Sequence, residues 1–131
     1  MALSLLRPKK VKIAPAHMRL GRSGEWTARA FMHALGYEIR GSNIRLGRHE
    51  IDLLCFDPID KVLVFAEVKA RARDSKDYRP EVNITRRKRS SMAHAARKWV
   101  AKYEYEGGYR MDVVCIANGR VVDHFKEIAW E

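Results

Sequence analysis

The chain has 131 residues, of which 47% are hydrophobic and 32% are charged, the balance of an ordinary soluble domain with a substantial core. No apolar run approaches the length that a membrane span needs. Lysine and arginine outnumber the acids by 26 to 16, a net charge of +10. A polyanion is therefore the natural partner, and nucleic acid is the commonest one, although a merely basic surface gives the same total.

The cysteines and histidines argue against a disulfide framework and a structural zinc site. Cys55 and Cys115 both lie in apolar, strand-like runs, which is typical of small buried hydrophobic residues. The five histidines are scattered along the chain, and no CxxC motif is present. A short apolar patch at residues 2–6 precedes the basic residues, the reverse of a secretory signal. We therefore expect a reducing, cytoplasmic setting.

The amino-terminal part of the chain divides into a tail and a helix. Residues 1–20 are basic, contain two prolines and lack a hydrophobic period, so we interpret them as a flexible tail. Residues 21–131 then form a single domain. Its first helix is predicted over residues 22–35, with Ser23 as the N-cap and Gly36 as the stop. The predicted apolar stripe of this helix comprises Trp26, Ala30, Phe31, Ala34 and Leu35.

Three consecutive strands are predicted after this helix. The first covers residues 37–46, and the next two are apolar runs at 51–56 and 62–68. Residues 57–60 between these runs combine aspartate and proline, which predicts the turn of a β-hairpin. Both hairpin strands are apolar at nearly every position, so we expect both faces of the sheet to be covered.

A loop, a second helix and a second hairpin complete the predicted order αβββαββ. Residues 71–83 are polar and contain a proline, which indicates a loop. The second helix is predicted over residues 85–104 with Thr85 as the N-cap, because apolar residues recur there at the helical period. Two strands at 109–117 and 120–125 flank an Asn-Gly pair, a strong signal for a tight hairpin turn.

Three charged residues interrupt the apolar central hairpin. Asp52 lies near the start of its first strand, and Glu67 and Lys69 lie near the end of the second, so antiparallel pairing brings them together. Buried charges are costly unless they pair or bind a metal. A structural Glu67–Lys69 ion pair, with Asp52 bonded to a loop, is one interpretation. The other is a site for a hard cation such as Mg²⁺ or Mn²⁺.

Basic residues are concentrated at the start of the second helix. A helix amino terminus with cationic side chains is suited to bind an anion, which predicts a nucleic-acid contact. The residues of this segment are Arg86, Arg87, Lys88 and Arg89. Lys88 precedes the buried face by one turn, so it either contributes to the site or extends its ammonium into water. Asp112 lies early in its strand, where we expect a structural role rather than support of the site.

The arrangement of these motifs resembles the PD-(D/E)XK nuclease superfamily. The triplet Glu67-Val68-Lys69 is similar to its (D/E)XK element, and Ile51-Asp52 to its PD element with the proline replaced. A closer resemblance is to the YraN-like family of small bacterial proteins, itself similar to archaeal Holliday-junction resolvases. It extends from about residue 21 to the carboxyl terminus. The residues that carry it are Gly24-Glu25, Glu50 to Leu53, Val64 to Lys69, Lys88 and Asp112 to Val114.

The resemblance implies a restriction-endonuclease-like α/β (α+β) core, in which helices flank a mixed central sheet. It implies a metal-dependent endonuclease that hydrolyses DNA, branched or flapped, and by analogy with the resolvases it allows a homodimer. Asp52 and Glu67 would hold Mg²⁺ or Mn²⁺, Lys69 would be the catalytic lysine, and Glu25 would match the acidic residue of the first helix. Lys88 and the arginines around it would bind the phosphate backbone of the DNA.

Two departures from the family pattern concern residues near this site. His49 stands where the family usually has glycine, and Ala70 where it usually has a small hydroxyl residue. Neither change removes a ligand, although His49 alters the approach to the site. The alternative hypothesis is a nucleic-acid-binding module that keeps the fold and does not cut. The basic surface predicts both functions equally well.

Overall fold

A computed structural model describes residues 16–71 and 84–129 of the chain, with side chains for 24–70 and 84–129. The predicted α+β class and the order αβββαββ are confirmed. The elements are helix α1 (Ala16–Ala34), strands β1 (Glu38–Leu46), β2 (His49–Asp57) and β3 (Val62–Arg71), helix α2 (Arg86–Lys102), and strands β4 (Gly108–Ala117) and β5 (Arg120–Phe125). Most of the loop predicted at 71–83 lies outside the described residues.

The strands form a five-stranded mixed sheet in the order β1-β2-β3-β4-β5. All neighbours are antiparallel except β3 and β4, which run parallel because α2 provides the crossover that such a pair requires. Side chains of β2 alternate between the two layers of the core. Leu53 and Cys55 pack with Ala28 of α1, whereas Leu54 packs with Ala95 of α2. The two helices therefore cover opposite faces of the sheet.

Helix α1 begins at Ala16, earlier than the predicted start at residue 22. Residues 16–20, which the sequence analysis assigned to the tail, therefore belong to the helix. The rest of the predicted tail, residues 1–15, lies outside the described residues. Ser23 is an interior residue of α1 rather than its N-cap, because the helix continues through it.

The predicted apolar stripe of α1 is wrong in its main members. Trp26 and Leu35 are 41% and 49% exposed, whereas Ala28 and Met32 are fully buried. The reason is close packing through small residues, because a Cβ placed on Gly24 would lie only 3.3 Å from a side-chain atom of β3. Such contact turns the small residues of the helix toward the sheet, and Trp26 is left at the surface.

The Thr85 cap of α2 and the turn of the last hairpin are confirmed, and α2 ends at Lys102, two residues before the predicted end. Thr85 caps α2, and its hydroxyl accepts a hydrogen bond from the backbone nitrogen of Lys88 at 3.0 Å. Asn118 and Gly119 have φ values of 53° and 75°, as the tight turn between β4 and β5 requires. Both cysteines are buried. Within the described segments, no helix is both long and apolar enough to cross a bilayer.

Candidate functional site

The two central strands separate where the charged residues lie. β2 and β3 pair as far as Leu53 and Ala66. Beyond that point β2 remains paired with β1, and β3 remains paired with β4. Asp52 and Glu67 are the first residues past the last pair, so they face each other across a fork in the sheet. A fork leaves main-chain groups without their ladder partners, and it opens space for side chains.

The carboxylate of Asp52 substitutes for one missing ladder partner. Its Oδ2 accepts a hydrogen bond of 2.9 Å from the backbone nitrogen of Val68. This bond fixes the carboxylate between the two strands, toward the side chain of Glu67. Glu67 is 9% exposed, and its carboxyl group lies within hydrogen-bonding reach of Asp52. Two carboxyl groups from neighbouring strands therefore share one small volume.

The electrostatics of Glu67 follow from this placement. Burial and the negative charge of Asp52 raise the pKa of Glu67 from 4.5 to about 7, because both disfavour a second carboxylate. Lys88 acts in the opposite direction, since its Nζ lies 3.5 Å from the Glu67 Oε2. The space between the carboxyl groups and Met92 is about 10 Å³, which is about the room that one water needs. Two carboxyl groups thus share this cleft with one ammonium group, that of Lys88.

Lys88, rather than Lys69, forms the ion pair with Glu67. The predicted Glu67–Lys69 pair is thus replaced by a contact between β3 and the first turn of α2. The Lys88 side chain is 44% exposed, so it reaches the site from the edge of the helix. Lys69 is half-buried and follows Glu67 by two positions, so it lies on the same face of the strand.

Glu25 is linked to the fork through Asn43. Its Oε2 accepts a hydrogen bond of 2.6 Å from the Asn43 amide. Asn43 lies opposite Asp52, because its chain neighbours pair with the residues on either side of Asp52. Within residues 24–70 and 84–129, no three His, Cys, Asp or Glu side chains are grouped as metal ligands. The structure therefore brings Asp52 and Glu67 together, and it places Glu25 against Asn43 of β1, the strand that pairs with β2.

Asn43 was not predicted as a site residue, although the sequence carries a signal for it. The run Gly-Ser-Asn interrupts a predicted strand, and Asn43 adopts a left-handed φ of 51°. Asparagine tolerates this conformation better than most residues because its short polar side chain bonds locally.

His49 connects β2 to α2 beside the fork. Its Nδ1 lies 2.9 Å from the Ser91 hydroxyl, and its ring stacks on His94 with centroids 5.7 Å apart. Partial burial and the charges of Lys98, His94 and Arg48 lower the pKa of His49. The His49 imidazole thus anchors the helix to the strand. His49 stands out in the sequence, but its partners could not be predicted because they depend on how α2 packs.

The first turn of α2 is electrostatically unfavourable as it stands. It contains no acidic residue, and Arg86, Arg87, Lys88 and Arg89 occupy the first positions of the helix, where the helix dipole favours negative charge. The Arg89 Nε is buried and has no hydrogen-bond partner among the described residues. An anion bound at this turn would satisfy the donors and reduce the repulsion. Glu67 already supplies one such charge to Lys88.

Asp112 lies in a separate network, as its predicted structural role requires. Its carboxylate accepts hydrogen bonds from Arg110 at 2.9 and 3.3 Å and from the Glu127 nitrogen at 3.0 Å. His124 Nε2 lies 2.8 Å from the same carboxylate. Burial alone would raise the pKa of Asp112, but the bonds from His124, Arg110 and Glu127 hold it below its usual value. This network faces α1, whereas the fork faces α2.

Family comparison covers most of the segment that builds the fork. The family described as "Uncharacterised protein family UPF0102" matches residues 24–116, which is more than half of the chain. The chain belongs to this family. The family membership predicted from the motifs is thereby confirmed, and the match contains the fork carboxylates and the basic turn of α2.

The curated UPF0102 relatives differ in how much of them the chain covers. It is 34% identical over 113 residues to a UPF0102 protein of Lawsonia intracellularis, and the alignment covers 83% of each chain. It is 30% identical over 112 residues to one of Cytophaga hutchinsonii, covering 86% of this chain and 96% of that one. It is 37% identical over 103 residues to a relative of Oleidesulfovibrio alaskensis, and that alignment covers 78% of this chain and 50% of the relative. The chain thus spans half of this last relative.

Proposed function

We propose that this UPF0102 protein is a metal-dependent endonuclease that hydrolyses phosphodiester bonds in DNA, with branched or flapped DNA as the substrate. The observation that carries the proposal is the fork between β2 and β3, where Asp52 and Glu67 face each other. Lys88 is the cation that contacts Glu67 within the described residues. Two adjacent carboxyl groups with one ammonium are poorly balanced as a purely structural ion pair.

The chemistry of this donor set fits a hard divalent cation. Mg²⁺ and Mn²⁺ prefer carboxylate oxygens, and Mg²⁺ is commonly held by one or two carboxylates together with water and substrate phosphate. Asp52 and Glu67 would hold the ion. Burial and the negative charge of Asp52 raise the pKa of Glu67, and a bound cation would offset both effects. When bound, the ion supplies Lewis-acid polarisation of the phosphodiester.

The protein's own cations take the remaining roles. Lys69, on the same face as Glu67, donates hydrogen bonds to the phosphate oxygens on which negative charge grows in the transition state. Lys88 and the arginines of the first turn of α2 contact the phosphate backbone of the DNA and do not distinguish its base sequence. Glu25 is a positioning residue, because its carboxylate binds the amide of Asn43, which lies opposite Asp52 in the β1–β2 pair.

The expected setting of this activity is the cytoplasm. Buried Cys55 and Cys115 in apolar strands suit a reducing compartment, and the net charge of +10 suits a polyanionic partner.

Cleavage of defined DNA substrates tests the proposal. Supercoiled plasmid, a flapped oligonucleotide and a four-way junction are incubated with Mg²⁺ or Mn²⁺, and with a chelator as the blank. We expect metal-dependent cleavage that falls by on the order of 100-fold or more in Asp52→Asn, Glu67→Gln and Lys69→Met. The matched control is Asp60→Asn, an exposed acid outside the fork, which should retain full activity. Cleavage that survives Glu67→Gln and Lys69→Met would remove the assignment.

A binding module without cleavage is the second candidate. It is favoured by the finding that the described residues bring together two carboxyl groups at the fork, and not a third metal-binding side chain. Such a module binds DNA with an affinity that falls steeply with salt, since binding releases counterions. Its affinity would be unchanged in Asp52→Asn and Glu67→Gln, with no product formed by any variant.

A further inference from the structure

A cavity of about 150 Å³ lies between α1 and β1, on the other side of the fork from α2. Its lining consists of Glu25, Trp26, Arg29, Ser42 and Asn43. The cavity is open to solvent on one side. It therefore combines an aromatic ring, a guanidinium, a hydroxyl, an amide and a carboxylate in one accessible recess.

Trp26 gives this cavity an apolar wall that the fold leaves uncovered. Its side chain is 41% exposed, although a tryptophan in a helix normally packs into the core. The Arg29 guanidinium lies 6.0 Å from the centre of the indole ring, within reach of a cation–π contact. A flat ring beside an arginine is the pair of groups on which unpaired bases stack.

The opposite wall presents fixed hydrogen-bonding groups. Asn43 donates its amide to the Glu25 carboxylate at 2.6 Å, which orients the Asn43 carbonyl oxygen and leaves it as an acceptor. The second Glu25 oxygen and the Ser42 hydroxyl add further capacity. These groups match the donors and acceptors along the edge of a nucleobase. A purely apolar ligand would leave them unsatisfied.

The position of the cavity relates it to the fork. Asn43 lies opposite Asp52 across the β1–β2 pair, so the cavity and the carboxylate cleft meet at the same two strands. The cavity opens on the α1 side of these strands, whereas the carboxylate cleft opens on the α2 side.

We infer that this cavity holds one unpaired nucleobase, stacked on Trp26, with Arg29 against the adjoining phosphate. A base inside a duplex already has both faces stacked, so the occupant must come from a single strand, a flap or a frayed end. The inference rests on the nucleic-acid partner proposed above and is independent of cleavage. It assigns the protein a preference for unpaired strands.

Binding measurements without metal test this assignment. A short oligothymidylate, a strand of equal length built from abasic sites, and a blunt duplex are titrated against the protein in chelator. We expect Trp26→Ala to weaken binding of the oligothymidylate by about tenfold, within the range that base–aromatic stacking supplies. Binding of the duplex and of the abasic strand should not change. Trp26→Phe should restore most of the affinity, because a ring remains.

The control variant is Tyr103→Ala, which removes another exposed aromatic ring, 55% accessible at the end of α2. It should leave all three affinities unchanged. Tryptophan fluorescence gives a second readout, since the oligothymidylate should quench a component that Trp26→Phe lacks. If Trp26→Ala weakens binding of the oligothymidylate and of the duplex equally, or weakens neither, the cavity assignment is overturned while DNA binding stands. Failure to bind any of the three ligands overturns both the cavity and the proposed partner.

Discussion

The sheet carries a group of acidic side chains on each face, and the two groups differ in how their charges are met. On the α1 face, Arg110 donates to Asp112, to Asp57 at 3.1 Å and to Asp60 at 3.3 Å. It also donates to the Tyr37 hydroxyl at 2.8 Å. Each buried acid there has a cationic or backbone partner. This group holds the turn of the central hairpin to β4, so its role is structural.

On the α2 face, the balance is reversed. Asp52 and Glu67 lie together with Lys88 at 3.5 Å, and Glu67 resists ionisation. The pKa of Asp112 is held low, whereas the pKa of Glu67 is raised to about 7. Buried carboxyl groups on the two faces of the sheet therefore have pKa values shifted in opposite directions. Buried acids whose charge the protein leaves unmatched are typical of binding sites, and this difference is the basis for the metal site that we propose at the fork.

Removal of Arg110 should have the largest effect on stability. Arg110→Met leaves Asp57 and Asp112 buried without their cation, and we expect a loss of about 3–5 kcal/mol in the free energy of unfolding. Urea denaturation at neutral pH measures it. Arg40→Met is the matched control, since Arg40 forms an exposed pair with Glu38 at 2.8 Å that should contribute below about 1 kcal/mol. Equal losses in the two variants would contradict a structural role for the network.

Asp112→Asn should show how that network depends on pH. The pKa of Asp112 is held below its usual value in the folded state. The carboxylate therefore stabilises the fold at neutral pH, and this contribution is lost as pH falls from the usual pKa through the lowered one. We expect a loss of about 2–3 kcal/mol at pH 7 that shrinks toward pH 3. Urea titrations at several pH values measure it. A loss that is constant with pH would show that charge is not the cause.

Glu67→Gln should change stability with the opposite sign. The folded-state pKa of Glu67 is about 7, above its ordinary 4.5, so the wild type loses stability as pH rises through this window. Glutamine cannot ionise and escapes that loss. We therefore expect the variant to be more stable than the wild type at pH 8, by on the order of 1–2 kcal/mol, with little difference near pH 4. A variant that is less stable at pH 8 would mean that Glu67 is a structural ion-pair partner.

The meeting of Asp52 and Glu67 could be predicted from the sequence, but the partners of these residues could not. Asp52 and Glu67 were predicted to meet because a hairpin is local and side chains alternate along a strand. The contact of Lys88 with Glu67 depends on the direction in which α2 packs, which strand periodicity does not specify. The Arg110 network joins the hairpin turn to β4 over more than 50 positions of the chain. The surface position of Trp26 follows from the packing of Gly24, not from hydrophobicity.

Lys88→Met should have the smallest effect on folding. The Lys88 side chain is 44% exposed and its pair with Glu67 spans 3.5 Å, so solvent screens most of the interaction and the loss should stay below about 1 kcal/mol. Thermal unfolding measures it. At the same time the pKa of Glu67 should rise further, because Lys88 lowers it in the wild type. A loss comparable with that of Arg110→Met would make the two groups equivalent.

Calorimetric titration of Mn²⁺ tests most directly whether the unmatched carboxylates form a cation site. At pH 7 the wild type should bind Mn²⁺ and release protons, since part of its Glu67 population must ionise on binding. Asp52→Asn and Glu67→Gln should lose this binding, while Asp60→Asn, with an exposed acid of the other group, should retain it. Identical heats for the wild type and Glu67→Gln, or no binding by the wild type, would contradict the account.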